Sequence, residues 1–209
     1  MTLRQLAAFC ESFTTAPSPV LYELERETYL KTMAPQMASG NLQGQFLRFL
    51  SWMLRPKRIL EIGTFTGYSA ICLAEGLAED GILHTIEANP ELAHFGEKYF
   101  TKAGLNDKIV AHIGDAFSLI PSLEETFDLV FIDSGKNDYA ALYDLVFEKV
   151  RTGGFLFVDN VLWDGKVMTD AQDGDTRTIQ AFIRKIQTDE RVENVLIPVR
   201  DGLILIRKL

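Results

Sequence analysis

The chain holds only 2 cysteines and 3 histidines among its 209 residues. Cys10 and Cys72 supply neither a disulfide framework nor a metal-ligand motif, which excludes a stapled secreted fold and a zinc centre built on thiolates. Both read as free thiols in a reducing compartment, with Cys72 packed inside a helix. His84, His94 and His112 are not spaced for metal binding and receive no role. No apolar run approaches the ~20 residues of a membrane span. Met1 to Phe13 carries Arg4 and Glu11 without a continuous apolar core, so it does not read as a signal peptide, and the cytoplasm is the expected location. Positive charge is in deficit, 21 Lys and Arg against 29 Asp and Glu for a net charge of -8. That balance disfavours a dedicated nucleic-acid binder, since phosphate neutralisation needs clustered cations. Internal repeats, low-complexity tracts and a second-domain linker are missing as well.

What remains is an ordinary globular composition, 47% apolar and 24% charged, at a length that suits one domain spanning 1-209. Residues 1-55 read as a helical N-terminal cover. Leu21, Leu24, Thr28 and Lys31 mix with a charged face, and Phe46, Leu47, Phe49, Leu50, Met53 and Leu54 form a wide apolar stripe at helical spacing. Ala34-Pro35 and Ser39-Gly40-Asn41 interrupt the pattern as turn or cap signals do. From residue 56 to 209 short apolar runs alternate with helix-length segments. The strand candidates are Arg58–Ile62, Ile82–Ile86, Ile109–Ile113, Phe127–Ile132, Phe155–Val158, Val192–Val199 and Leu203–Arg207. Crossover helices between the first five predict a parallel, doubly wound α/β sheet. The last two are separated only by Arg200-Asp201-Gly202, which is a hairpin with Gly202 at positive φ. The expectation is a seven-stranded, mostly parallel sheet whose last strand is antiparallel.

Ligands of an open α/β sheet collect outside the carboxyl ends of its strands, so the residues there carry the functional reading. Asp133 follows the fourth apolar run, and Asp159-Asn160 follows the fifth. Two carboxylates and an amide oxygen make a hard-oxygen set of the kind Mg²⁺ prefers, and Lys136, one turn beyond Asp133, can handle a proton. The competing reading is a capping Asp, a turn Asn and a surface Lys. Neighbouring strand residues point to opposite faces, so Asp159 and Asn160 can share one ion only if the strand ends there and the backbone turns. The first strand runs into Glu61-Ile62-Gly63-Thr64-Phe65-Thr66-Gly67-Tyr68-Ser69. Phe65 occupies the place of the second glycine in a dinucleotide turn, which argues against a bound pyrophosphate. Glu61 favours a ligand with a positive centre. Glu87 closes the second strand, where an acid typically holds ribose hydroxyls, and Gly114-Asp115-Ala116 closes the third, where an adenine edge would lie. Solvated strand-end carboxylates are the plainer alternative for both acids.

The segment from Leu60 to Ser69 resembles the S-adenosylmethionine motif of the cation-dependent O-methyltransferases, the group of the catechol and caffeoyl-CoA enzymes and their small bacterial relatives. The resemblance continues through Gln43-Gly44-Gln45-Phe46, Phe131 to Tyr139, Gly153 to Trp163 and Leu196 to Leu203. It implies a class I, Rossmann-like S-adenosylmethionine-dependent methyltransferase. Under it Glu87 holds the ribose, and Glu61, Gly63 and Ser69 surround the amino-acid part with Asp133 beside it. Ala116 lies against the adenine, Ser39 near the methionine moiety, and Met37 near the sulfonium. Phe65 stands where some relatives carry Tyr.

Asp133, Asp159 and Asn160 match the family's ligands to a divalent cation, Mg²⁺ before Mn²⁺ or Ca²⁺, and Lys136 matches its proposed general base. Trp163 is either an aromatic wall for a flat substrate or a packing residue at a dimer surface. Methyl transfer to one hydroxyl of a vicinal-dihydroxy aromatic small molecule is the implied reaction, and a homodimer the implied assembly. A hydroxylated uridine in tRNA is the alternative acceptor, and a non-catalytic protein that binds S-adenosylmethionine the alternative class. The segment from Lys166 to Arg177 is expected to border the acceptor pocket.

Overall fold

The computed structural model describes residues 3–170 and 173–209; Ala171 and Gln172, inside the segment expected to border the acceptor pocket, lie outside them. Seven strands form one sheet: β1 (Arg58–Ile62), β2 (Ile82–Glu87), β3 (Ile109–Ile113), β4 (Phe127–Ile132), β5 (Val150–Val158), β6 (Val192–Ile197) and β7 (Leu203–Lys208), in the order β3-β2-β1-β4-β5-β7-β6. β1 and β5 both pair with β4 in parallel, and β2 with β3. β7 lies antiparallel to both β5 and β6. This is the expected α/β sheet with its antiparallel closure. Eight α-helices accompany it among the described residues: α1 (Leu3–Ser12), α2 (Pro19–Lys31), α3 (Gly40–Leu54), α4 (Tyr68–Ala74), α5 (Ala93–Lys102), α6 (Ala116–Leu119), α7 (Tyr139–Phe147) and α8 (Gly174–Gln187). None is long and apolar enough to cross a membrane.

By internal packing the chain forms two compact units. One holds the chain up to Lys57 together with Thr64–Asp115, and the other holds Arg58–Gly63 with Ala116–Leu209. In the second, Phe127, Leu129, Val130, Phe131 and Ile132 of β4 are all fully buried. A strand covered on both faces reads as a continuous apolar run rather than an alternating one. Two boundaries differ from expectation by more than one residue. β5 starts at Val150, because Gly153 (φ +74°) and Gly154 form an irregularity within the strand where a loop was anticipated. β6 stops at Ile197, since Pro198 has no N–H to continue the ladder.

The first unit corrects the reading of α3. Of the anticipated apolar stripe only Leu47 is fully buried, while Phe49 and Met53 are 52% and 70% exposed. The buried face is instead Asn41, Gln43, Gly44, Gln45, Leu47 and Ser51. Small residues win because α3 and α4 approach closely. A Cβ on Gly44 would stand 2.5 Å from Tyr68 Cε1, and one on Gly76 would stand 2.4 Å from the carbonyl carbon and the Oγ of Ser51. The Ser51 hydroxyl donates to the Leu73 carbonyl at 2.6 Å, so this polar side chain is buried without losing its hydrogen bond.

The same unit is braced by Glu27 on α2. Its carboxylate accepts from Lys31 at 2.7 Å and from Lys98 and the buried Tyr99 on α5. Lys31, then Lys98 and Tyr99, hold the Glu27 carboxyl down at about 2. A folded value below the unfolded one stabilises the fold above the unfolded pKa, and that contribution is lost as pH falls toward the folded value.

Substitution tests both features of this packing. Glu27→Gln should lower the melting temperature at pH 7, and the gap from the parent should narrow as pH falls below about 4.5 toward about 2; a gap that is constant with pH in thermal melts would contradict the assignment. Gly76→Ala should cost about 1–3 kcal/mol in urea unfolding, since backbone blocks the new methyl. Gly174→Ala, where nothing lies within 4 Å of the added Cβ, should leave stability unchanged.

Candidate active site

Three neighbouring strands of the second unit end in step. The Asp133 N–H donates to the Ile62 carbonyl at 2.9 Å, and the Asp159 N–H donates to the Ile132 carbonyl at 3.0 Å. The ladder thus runs one residue past β4 and past β5, delivering Asp133 and Asp159 to the carboxyl edge beside the end of β1. Gly63 follows β1 with φ +105°, and a Cβ there would lie 1.9 Å from the Asp133 carbonyl oxygen. Only glycine permits that approach. Glu61, on β1, is fully buried, as is Asp159 at 1% exposure. Burial, and next the charge of Asp159, push the Asp133 carboxyl above the usual carboxylate range, while Lys136 and Arg200 pull against them. Charge of both signs is thus packed closely around Asp133.

The requirement that β5 end before Asp159-Asn160 is met. The strand stops at Val158, and Asn160 takes φ +57°, in the left-handed region. The side chains of the two residues are thereby freed from strand alternation. Trp163 (φ +49°) and Asp164 (φ +52°) repeat the left-handed conformation before Gly165 (φ +77°). For Trp163, which is not Gly, Asn or Asp, it costs about 1–2 kcal/mol, so the segment needs anchors. Val161 and Leu162 N–H groups donate to the Gly202 and Asp201 carbonyls at 3.1 and 2.8 Å, and the Asp164 N–H donates to Asp201 Oδ1 at 2.5 Å. At about 0.5–1.5 kcal/mol each, these bonds match the strain.

Lys136, in a 3-10 turn after β4, donates from Nζ to Asn160 Oδ1 at 3.4 Å and stands 5.3 Å from the centre of the Trp163 ring. Lys166 Nζ is 5.6 Å from the same ring. Trp163 therefore belongs to the Lys136 and Asn160 cluster within this unit. Tyr139 is fully buried and donates its hydroxyl to the Asp159 carbonyl at 2.8 Å. Burial, then the charges of Asp133 and Asp159, raise its pKa, so the phenol stays a donor. Sequence reasoning missed Tyr139 and Asp201 as site residues. Tyr139 carried one usable signal, its i,i+3 spacing from Lys136.

Among the described residues no three His, Cys, Asp or Glu side chains gather as a metal cluster. The candidate donors are two carboxylates and one amide oxygen, a hard set that suits a divalent cation of the Mg²⁺ type. Ala116, also in this unit, opens α6.

The first unit carries the remaining candidates. Glu87 ends β2 and accepts the N–H of Phe65 at 2.7 Å and of Asn89 at 2.8 Å. Phe65 adopts φ +50°, between Gly63 and Gly67 (φ +95°). The residue standing where a dinucleotide turn has glycine thus takes the glycine-like conformation, tied by its N–H to Glu87. The Thr64 and Thr85 hydroxyls meet at 2.5 Å in the interior. Ser39 and Ser69 are each 4% exposed, whereas Met37 is 58% exposed in a 3-10 turn. His84 and His112, which had no assigned role, pair with each other at 3.0 Å across β2 and β3.

Comparison with known proteins bears on this geometry. A family model described as O-methyltransferase matches residues 11–209. Caffeoyl-CoA O-methyltransferase 2 of Populus trichocarpa is 33% identical over 187 residues, 83% of this chain and 75% of that protein. Among solved structures, an SAH-bound methyltransferase of Podospora anserina superposes with a TM-score of 0.90 at 28% identity, over 99% of this chain and 94% of the other. An O-methyltransferase of Streptomyces achromogenes involved in tomaymycin synthesis, in complex with SAM, gives a TM-score of 0.89 at 28% identity, over 98% and 96%.

Proposed function

Because the chain belongs to the O-methyltransferase family, whose members use S-adenosylmethionine, we propose that it methylates one hydroxyl of a vicinal-dihydroxy aromatic small molecule with a divalent cation held by Asp133, Asp159 and Asn160. The observation that carries this reading is the end of β5 at Val158 with Asn160 at φ +57°, which frees two successive side chains from strand alternation. A cation at that set supplies Lewis acidity toward a phenolic oxygen and a fixed point for its neighbouring hydroxyl. Three protein oxygens out of the six that Mg²⁺ takes leave room for both acceptor oxygens.

The chain's own residues do the rest. Transfer forms an O–C bond and breaks a C–S bond, and the hydroxyl proton must leave. Lys136, acting as the neutral amine, takes that proton and becomes the ammonium: its Nζ stands beside Asn160 Oδ1 and near the face of Trp163. Trp163 packs against the flat ring of the acceptor. For the methyl donor, Glu87 receives the ribose hydroxyls and Ser39 and Ser69 serve the methionine moiety. Phe65, held by Glu87, shapes the turn between them, and Met37 lies near the sulfonium. Glu61, Gly63 and Asp133 are assigned to the amino-acid part and Ala116 to the adenine. The buried carboxylate of Glu61 and the partly buried one of Asp133 suit a cationic amino group and a sulfonium better than a pyrophosphate.

Two measurements test the reading. Methyl transfer to catechols and hydroxycinnamoyl esters should vanish with a chelator, return with Mg²⁺, and be lost in Asp159→Ala. Chelator-resistant turnover would refute the cation's part, and methylation confined to hydroxylated tRNA would refute the acceptor class. Separately, Lys136→Ala should lower kcat by ~10²–10⁴-fold, the range for a general acid-base group, with a much smaller change in KM; a fall below about tenfold would make Lys136 positional.

A further inference from the structure

We propose that Tyr139 and Asp201 are positioning residues that clamp the 159–164 segment from its two ends and so set the affinity of Asp159 and Asn160 for the divalent cation, an inference that rests on the metal-dependent reading of the site. The segment is unusual in its backbone. It leaves β5 at Asp159 and places Asn160, Trp163 and Asp164 in the left-handed region. The register between β5 and β7 ends with Val158 opposite Ile204. Strand pairing therefore holds this segment only at its start, through the Asp159 N–H on the Ile132 carbonyl.

Two residues add contacts of their own beside the Val161 N–H bond to the Gly202 carbonyl. At the near end the Tyr139 hydroxyl donates to the Asp159 carbonyl at 2.8 Å. That carbonyl belongs to the peptide joining Asp159 to Asn160, so fixing it fixes the plane from which both candidate donors project. Tyr139 is itself fully buried, with its ring edge-on to Phe182 at 5.6 Å. At the far end Asp201 acts twice, its carbonyl accepting Leu162 N–H and its carboxylate accepting Asp164 N–H. Trp163 sits between those two bonded residues, so the same clamp sets the ring near which Lys136 stands. Partners that orient a metal's ligands without touching the metal typically carry 10–100-fold in affinity. Asp201 lies in a β-hairpin turn and Tyr139 opens a helix, so local turn or helix chemistry explains neither bond.

The test is titration of the full-length protein with Mn²⁺ alone, read by electron paramagnetic resonance, beside calorimetric binding of S-adenosylmethionine without metal and a thermal melt. Tyr139→Phe keeps the ring and deletes only the hydroxyl; it should weaken Mn²⁺ binding about 10–100-fold while S-adenosylmethionine affinity stays within about twofold. Asp201→Ala should do the same, and Asp201→Asn, which retains an oxygen acceptor for Asp164 N–H, should remain close to the parent. Parent-like Mn²⁺ affinity in either Tyr139→Phe or Asp201→Ala overturns the two-point clamp while leaving the metal reading intact. Equal loss of both ligands together with a collapsed melt overturns it in favour of a general folding role. A parent protein that binds no Mn²⁺ overturns the metal reading and the clamp with it.

Discussion

Everything proposed for the second unit depends on one register: the Asp133 amide on the Ile62 carbonyl and the Asp159 amide on the Ile132 carbonyl. Parallel strands bond through slanted, evenly spaced amides. A chain that leaves its strand one residue after the last pair therefore still has its first loop residue tied to the neighbour. Here both tied residues are aspartates. Their carboxylates come together because the backbone beneath them is paired, not because they attract each other. They repel, and the raised Asp133 pKa records that, after burial, as its second cause. Two carboxyl groups held close together against their mutual repulsion, in a largely buried setting, favour positive charge beside them. Lys136 and Arg200 supply part of it, and a divalent cation would supply more.

The next constraint is conformational. Strand geometry would send Asp159 and Asn160 to opposite faces, and the left-handed Asn160 removes that alternation. Asn is among the few residues that tolerate the region, so one side chain serves as backbone switch and, in the proposed site, as oxygen donor. Trp163 has no such tolerance. Its cost is met by amides that Val161, Leu162 and Asp164 donate to the Asp201-Gly202 turn.

How much of this was legible in the sequence can be judged residue by residue. The alternation of apolar runs and helix-length segments announced the parallel sheet, and the short Arg200-Asp201-Gly202 link announced its antiparallel closure, because both signals are local and periodic. The adjacency of Asp159 and Asn160 even posed the geometric problem whose solution is the end of β5. The buried face of α3 was not legible. Its apolar residues follow helical periodicity, but close approach to α4 demands small side chains at Gly44 and Ser51, and the larger ones turn outward. Periodicity reports which residues are apolar; it does not report how near the neighbouring helix comes. Tyr139 and Asp201 were missed for a related reason. Each acts on backbone atoms about 20 and 37 residues away in the chain, and a side-chain-to-backbone bond leaves no pattern in the sequence of the segment it holds.

The Asp201-Gly202 turn shows how a correct local reading can be incomplete. Gly202 was expected at positive φ by hairpin chemistry alone, and it has φ +87°. Asn also tolerates that region, so turn chemistry by itself would admit other residues. The structure forbids them on a second ground: a Cβ at Gly202 would lie 2.3 Å from Leu162 Cγ. Leu162 is there because its own N–H is bonded to the Asp201 carbonyl, one residue before Trp163. The hairpin is therefore shaped by the loop it supports as much as by the strands it joins. A substitution chosen to improve the turn would displace the loop that carries Asn160 and Trp163, even though none of its atoms belongs to a proposed ligand.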